Sequence, residues 1–283
     1  MGKSTILNGL LKEKVAIVSK KPETTRDIIR GILTDKDTQM IFVDTPGIHK
    51  PHDLLGKIML SRAQSSLMES DLILLVTEKR IAFDPEDKRI LDRLSPADSK
   101  KKVILVINKT DRLKEKRMLL PIMEKASKFY PFAEILPMCA LKQKDLDKLL
   151  VTIKKYLPEG PNLFPEDQLT DKDEYFQIQE IIREKILIET YEEVPHSVAV
   201  IIDEMIKEKK GILKIYATIF VERKSQKSII IGKSGSMMKK IGQLARVDIE
   251  KLLNKHVYLE LWVKVAKKWK KDPNALREMG YTD

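Results

Sequence analysis

Val103-Ile104-Leu105-Val106-Ile107-Asn108-Lys109-Thr110-Asp111 carries five apolar residues without a polar break, then four polar ones. A run that is apolar throughout, rather than alternating, reads as a strand buried on both faces, as in parallel sheets covered by helices. In such sheets ligands sit at the carboxyl ends of the strands, which is where Asn108-Lys109-Thr110-Asp111 falls. A carboxylate at Asp111 accepts from guanine N1–H and the 2-amino group together, whereas adenine presents the wrong donor pattern. The Lys109 stem would cover the base plane. Asn108 would tie this loop to a phosphate-binding loop elsewhere in the chain.

The neighbouring segments fit the same kind of sheet. Leu72 to Thr77 reads as a second buried strand, Asp84 to Leu94 as a helix with Pro85 in its first turn, and Glu134 to Met138 as a third strand. That third strand ends at Cys139-Ala140-Leu141, where backbone N–H groups can meet guanine O6. A small buried hydrophobe explains Cys139 equally well. Strands alternating with helices imply an α/β domain with a mostly parallel sheet.

Phosphate chemistry is read from the start of the chain. Met1-Gly2-Lys3-Ser4-Thr5 enters a helix running from Ser4 to Leu11 and matches the last positions of G-x-x-x-x-G-K-[ST]. In the full motif a Gly-rich turn aims backbone N–H groups at phosphates, the Lys reaches the β- and γ-phosphates, and the following hydroxyl ligates Mg²⁺. So short a string recurs by chance, and its value depends on Asp44-Thr45-Pro46-Gly47. That tetrapeptide leaves the strand Gln39 to Val43, the hairpin partner of Ile28 to Thr34. Asp44 would hold Mg²⁺ through water, and Gly47 would offer its N–H to the γ-phosphate. Between the two motifs, Ser19 to Asp27 is a polar, Pro-bearing loop containing Thr24-Thr25-Arg26-Asp27. The front of the phosphate loop and the central strand ahead of it are not in the sequence. The expectation is that Met1 stands where the loop has Val, a GTG codon having been read as a start.

Composition bounds the partners. The chain has 283 residues, a net charge of +11 and one cysteine, Cys139, so no intrachain disulfide forms. No apolar run nears the roughly 20 residues of a membrane span, and a cytoplasmic location is expected. From Met205 to Lys271 there are eighteen Lys and Arg against five Asp and Glu, a net of +13. A polyanionic partner is therefore expected at the C-terminal third.

Pro158 to Pro165 is Pro- and Gly-rich and reads as a boundary: residues 1–158 form the first domain, 159–172 a linker and 173–283 the second. In the second, Asp173 to Tyr191 is an amphipathic helix, Val198 to Ile206 and Ile212 to Arg223 are strands, Met237 to Leu253 is a helix and His256 to Val265 a last strand. Gly232-Lys233-Ser234-Gly235, between the apolar Ser228 to Ile231, taken as a strand, and the basic helix, has glycines that let a single-stranded RNA backbone pass close. Lys233, Lys239, Lys240 and Arg246 would meet phosphates, with Ile231, Ile241 and Ala245 lining an apolar groove for bases. A solvated helix face is the plain alternative for the basic residues. Lys264 to Lys271 reads as a charged tail or a second RNA contact.

The order Gly2-Lys3-Ser4-Thr5, Thr24-Thr25-Arg26, Asp44-Thr45-Pro46-Gly47, Asn108-Lys109-Thr110-Asp111 and Cys139-Ala140-Leu141 resembles the five-motif signature of translation-factor-class GTPases. With the Gly232 to Gly235 loop, Tyr258-Leu259-Glu260-Leu261-Trp262-Val263-Lys264-Val265 and Leu276 to Tyr281, the chain is similar to the Era family over essentially its whole length. The resemblance implies a P-loop GTPase domain lacking its first strand, followed by an α+β KH domain of type II. It implies GTP/GDP with Mg²⁺ as cofactors, Mg²⁺ being held by Ser4, Asp44 and Thr25, with Thr24 the alternative switch residue. Ser19 to Asp27 and Ile48 to Gly56 would be the two switches, and Lys3, Thr25 and Gly47 would carry catalysis. It further implies a monomer that binds near the 3′ end of 16S rRNA, acts in 30S subunit maturation and associates peripherally with the inner membrane. Ile48 stands where other GTPases have a water-orienting Gln, so hydrolysis is expected to be slow without another source of charge stabilisation. In some relatives that source is K⁺, held by an Asn of the phosphate loop that lies ahead of Met1, which leaves K⁺ dependence open. The rival readings are a tRNA-modifying GTPase, whose folate-type domain and C-terminal cysteine are not in this sequence, and an RNA-binding module with a defunct GTPase half.

Overall fold

The computed structural model describes residues 1–21, 23–48, 51–78, 91, 101–113, 115–208 and 211–281. Apart from Leu91, the helix expected over 84–94 lies outside them. The chain divides into two compact units: Met1–Ala16, Ile28–His49 and Ser61–Asp171 form one, and Ile17–Asp27, Lys50–Leu60 and Lys172–Asp283 the other. The first segment read as a switch, Ser19 to Asp27, and the second from Lys50 onward therefore group with the C-terminal residues, whereas Ile48 stays with the first unit.

In the first unit, α1 (Lys3–Leu11) precedes an antiparallel hairpin of β1 (Ile29–Asp35) and β2 (Thr38–Asp44). α2 (Leu54–Glu69), of which residues 61–69 belong to this unit, leads to β3 (Leu72–Glu78), which pairs in parallel with β4 (Lys102–Asn108); β4 pairs in parallel with β5 (Glu134–Pro137). α3 (Leu119–Phe129) and α4 (Gln143–Lys154) complete the described elements of this unit. β4 is buried on both faces, as its unbroken apolar run requires. Ile104 and Val106 pack with Ile6, Leu10 and Leu149, while Val103, Leu105 and Ile107 pack with Ile122 and Ala126. Each such side chain contributes about 1.5–3 kcal/mol on burial, enough to fix the register that sends Asn108 to the strand end.

The Pro-rich stretch is not a free linker. Gln39 receives the N–H groups of Leu163 and Phe164 at 2.8 and 2.9 Å, and Ile32 N–H donates to Leu169 O at 2.9 Å. Asp171 binds the Arg30 backbone and guanidinium at 3.1 and 2.9 Å. Residues 163–171 thus run along the β1–β2 hairpin and belong to the first unit.

The second unit contains α5 (Glu174–Glu189), β6 (Ala199–Lys207), β7 (Leu213–Val221), α6 (Lys224–Ile231), α7 (Ser236–Leu253), β8 (Val257–Val265) and α8 (Pro273–Glu278). β7 is central, antiparallel to β6 and parallel to β8. Ile178, Ile182 and Ile186 of α5 and Ile241, Ala245 and Ile249 of α7 form one core with the inner face of this sheet. Ser228 to Ile231, read above as a strand from its β-branched run, lies in α6 instead. Gln226 Oε1 accepts the N–H groups of Glu222 and Arg223, each at 3.0 Å, which stops β7 and starts the helix. Lys264 to Lys271 is no loose tail. Trp269 is fully buried, its indole N–H donates to Ser197 O at 3.0 Å, and Lys270 faces Glu222 and Asp53 at 3.4 and 3.6 Å. Among the described residues no helix is long and apolar enough to cross a membrane.

Candidate functional site: a nucleotide site and an RNA-facing loop

α1 starts after Gly2, which has φ 96° and ψ 27°. A Cβ at that position would lie 2.6 Å from Asn108 Nδ2, so both conformation and space demand glycine. In the first turn Ser4 Oγ donates to Asp44 Oδ2 at 2.7 Å, joining the helix to the end of β2. Burial pulls the Lys3 ammonium below its ordinary pKa, with the Asp44 carboxylate opposing. A desolvated cation, a helix N-terminus and a hydroxyl–carboxylate pair suit a phosphate with a hard divalent cation. Ser4 and Asp44 supply oxygen donors of the type Mg²⁺ takes. Thr5 follows in the same turn, partly buried.

Asn108 joins the turn before α1 to the loop after β5. It is 2% exposed; its Nδ2 donates to Met1 O at 3.0 Å, and its Oδ1 accepts from Ala140 N at 3.0 Å. Lys109 adopts the left-handed region at φ 60° and pairs with Glu78 at the end of β3. The Lys109 ammonium, with the chain's amino group, lowers the Glu78 carboxyl to about 2. Asp111 is exposed, and the Cys139 thiol donating to it holds its carboxyl below the usual range. Burial first, and then Asp111, pushes the thiol up. Cys139 N–H donates to Asp145 Oδ2 at 2.8 Å. Two of the backbone donors expected near guanine O6, those of Cys139 and Ala140, are therefore engaged within the protein.

Thr25 is buried, in a segment that belongs to the second unit. There Val18 N–H donates to Glu184 Oε1 at 3.0 Å, and Arg183 donates to Thr24 O. Arg26 donates to Val198 O at 2.5 Å, His196 O at 3.0 Å and Tyr281 Oη at 3.3 Å. Gly47 and Ile48 follow β2 in the first unit, both partly buried.

Sequence reasoning missed four positioning residues. Glu78 and Asp145 hold the loops after β4 and β5, and Arg26 holds the Thr24–Thr25 loop. Asn8 shapes the chain after α1, its Oδ1 accepting from Val15 N and Ala16 N at 3.1 and 2.9 Å. Only Glu78 had a signal, its place at the carboxyl end of a buried strand.

In the second unit Gly232 (φ 73°) and Gly235 (φ 78°) bound a turn between α6 and α7. At Gly232 a Cβ would come within 2.8 Å of Met237 N; at Gly235 nothing lies within 4 Å, so conformation alone asks for glycine. Lys233, Ser234, Lys239 and Arg246 are exposed, whereas Lys240 pairs with Glu189 at 2.5 Å. Ile231 is partly buried, and Ile241 and Ala245 are fully buried, so the last two serve the core instead of lining a groove.

The family described as 50S ribosome-binding GTPase matches residues 1–109, and the KH domain family matches residues 193–270. GTPase Era of Clostridium kluyveri (strain ATCC 8527) is 48% identical over 281 residues, 99% of this chain and 95% of the relative. The chain belongs to the GTPase Era family. GTPase Era of Syntrophus aciditrophicus (strain SB) is 47% identical over 284 residues, covering 100% of this chain and 92% of the relative. A crystal structure of Era in complex with MgGDPNP and nucleotides 1506–1542 of 16S ribosomal RNA is similar at TM-score 0.95 and 43% identity, over 100% of this chain and 95% of that one. The same figures hold for a crystal structure of an Aquifex aeolicus Era variant bound to GDP.AlF4-. Membership of the Era family makes the first half a P-loop GTPase domain, the second a KH domain, and the chain a GTPase.

Proposed function

We propose that this chain binds GTP and GDP with Mg²⁺ in its first unit, hydrolyses GTP, and binds RNA near the 3′ end of 16S rRNA through its second, acting in 30S subunit maturation. The observation that carries the nucleotide half is Asn108, which spans Met1 O and Ala140 N at 3.0 Å each and so sets phosphate-side and base-side loops in one register. Gly2 and Lys3 would hold the phosphates, and Ser4, Asp44 and Thr25 would hold Mg²⁺, whose chemistry there would be neutralisation of phosphate charge. Asp111 reads guanine N1–H and the 2-amino group, Lys109 covers the base, and Ala140 N–H, donated to Asn108 in this structure, is shared with guanine O6. Gly47 N–H would meet the γ-phosphate, and Thr25 is the switch residue that would supply a further oxygen to the metal with triphosphate bound. Ile48 neither orients water nor stabilises charge, so intrinsic turnover is slow.

On the RNA side, Gly232 to Gly235 admits the backbone, with Lys233, Lys239 and Arg246 on phosphates and Ile231 beside the bases. Lys240 joins them on release from Glu189. The domain boundaries in this reading follow the two units, with 163–171 as part of the first. The protein works in the cytoplasm and meets the inner membrane peripherally, a reading that rests on its likeness to the Era family. GTP favours RNA binding and hydrolysis reverses it. Comparing the affinity of the full-length protein for a 16S 3′-end oligonucleotide with GDPNP and with GDP tests this: tighter binding with GDPNP is expected, and equal affinities would discard the coupling.

A further inference from the structure

One face of the C-terminal sheet packs on α5 and α7; among the described residues the opposite face is covered at only one end. Leu259, Leu261 and Val263 of β8 point into the core, so Tyr258, Glu260 and Trp262 point away from it. Cross-strand register places Tyr216 of β7 beside Glu260, and Glu204 of β6 beside Tyr216. Ala199, Ile201 and Phe220, at the other end of this face, lie under Trp269 and Leu276. The remaining half is open: Tyr258 is 49% and Trp262 56% exposed, and Ile206 on the same face is 38% exposed. A Glu–Tyr–Glu row flanked by an exposed Tyr and an exposed Trp is an apolar platform with carboxylates at its centre.

Charge decides what fits. The chain carries +11 overall, and the window Met205 to Lys271 carries +13, yet this half-face presents Asp203, Glu204 and Glu260. Of the lysines in register with it, Lys214 is neutralised by Glu208 at 2.6 Å, and Lys264 pairs across to Phe220 at the covered end. A phosphate backbone would be repelled by Glu204 and Glu260. A guanidinium or ammonium is drawn to both carboxylates and is attracted to the faces of Trp and Tyr rings.

We infer that the open half of this sheet face docks a Lys/Arg-rich polypeptide segment of a partner, its cations lying over Trp262 and Tyr258 and paired with Glu204 and Glu260. The surface is separate from the Gly232 to Gly235 loop, so RNA and a basic polypeptide are held by opposite charges on different faces of one unit.

The test uses the full chain and octa-arginine as probe, followed by the fluorescence of Trp262; Trp269 is buried and serves as the unresponsive reference. Glu204→Gln with Glu260→Gln should weaken octa-arginine at least tenfold, and Trp262→Leu should remove the fluorescence change, while affinity for a 16S 3′-end oligonucleotide stays within twofold of the parent. That retained RNA affinity shows the variants are folded; should it fall, Trp262→Phe, which keeps a ring and therefore binding, replaces the leucine variant. The inference is overturned if octa-arginine fails to bind, if it binds the carboxamide variant as tightly as the parent, or if the oligonucleotide rather than the peptide produces the Trp262 response.

Discussion

Replacing Asn108 by Ala removes a side chain that is 2% exposed and makes two hydrogen bonds of 3.0 Å, to Met1 O and Ala140 N. The Ala140 N–H sits in a residue only 7% exposed, and without its acceptor it pays the desolvation cost of an unmet donor, about 1–3 kcal/mol. Met1 is 44% exposed, so water replaces the lost donor at its carbonyl and the cost there is about 0.5–1 kcal/mol. The total of about 1.5–4 kcal/mol corresponds to a fall in Tm of about 3–16 °C for a unit of this size. Nucleotide binding must then impose the loop register itself, so GDP affinity should fall about 10- to 100-fold. Asn108→Asp keeps an oxygen for Ala140 N–H and should lose less stability than Ala. Thermal unfolding with and without GDP, and calorimetric titration of GDP, read both effects. A Tm within about 1 °C of the parent together with unchanged GDP affinity would refute the claim that Asn108 joins the two loops.

Three further outcomes follow from the geometry. Gly232→Ala places a Cβ within 2.8 Å of Met237 N, whereas Gly235→Ala meets nothing within 4 Å; the first should destabilise the second unit by clearly more than the roughly 1 kcal/mol expected for the second, as urea unfolding would show. Lys239→Ala with Arg246→Ala should lower the slope of log affinity against log salt for single-stranded RNA by about 1.4, since each phosphate that is no longer neutralised reduces it by roughly 0.7; an unchanged slope would make these residues a solvated face. The folded-state pKa of Glu78 is depressed from 4.5 to about 2, so its pairing stabilises the fold above pH 4.5 and is lost as pH falls toward 2. Glu78→Gln should therefore flatten the loss of stability between pH 5 and pH 3 in acid unfolding, and an acid limb identical to the parent's would contradict this.

Long, uniformly apolar strands were legible because burial on both faces leaves no other pattern; Val103 to Ile107 lies within β4 and sends Asn108 where the motif needs it. Ser228 to Ile231 shows the limit. Its β-branched run has strand propensity, but capping by Gln226 and the packing of Ile230, fully buried beside an exposed Ile229, make it a helix. The linker was misjudged because its order comes from Gln39 and Asp171, side chains distant in sequence. Trp269 looked like part of a charged tail because five lysines hide one buried indole. Nor does any local pattern around Arg26 predict that its guanidinium bonds Val198 O and His196 O, since those partners are about 170 residues away. Short motifs with fixed chemistry were readable; long-range polar contacts that hold them were not.

Titrating GTP and ATP into the full-length protein with Mg²⁺, alongside Asp111→Asn with GTP and XTP, tests most directly whether a carboxylate at position 111 reads guanine. GTP should bind at least about a thousandfold more tightly than ATP, and the Asn variant should exchange its preference for XTP, whose 2-oxo group accepts where guanine donates. Equal uptake of ATP and GTP by the parent, or an Asn variant that still prefers GTP, would contradict it.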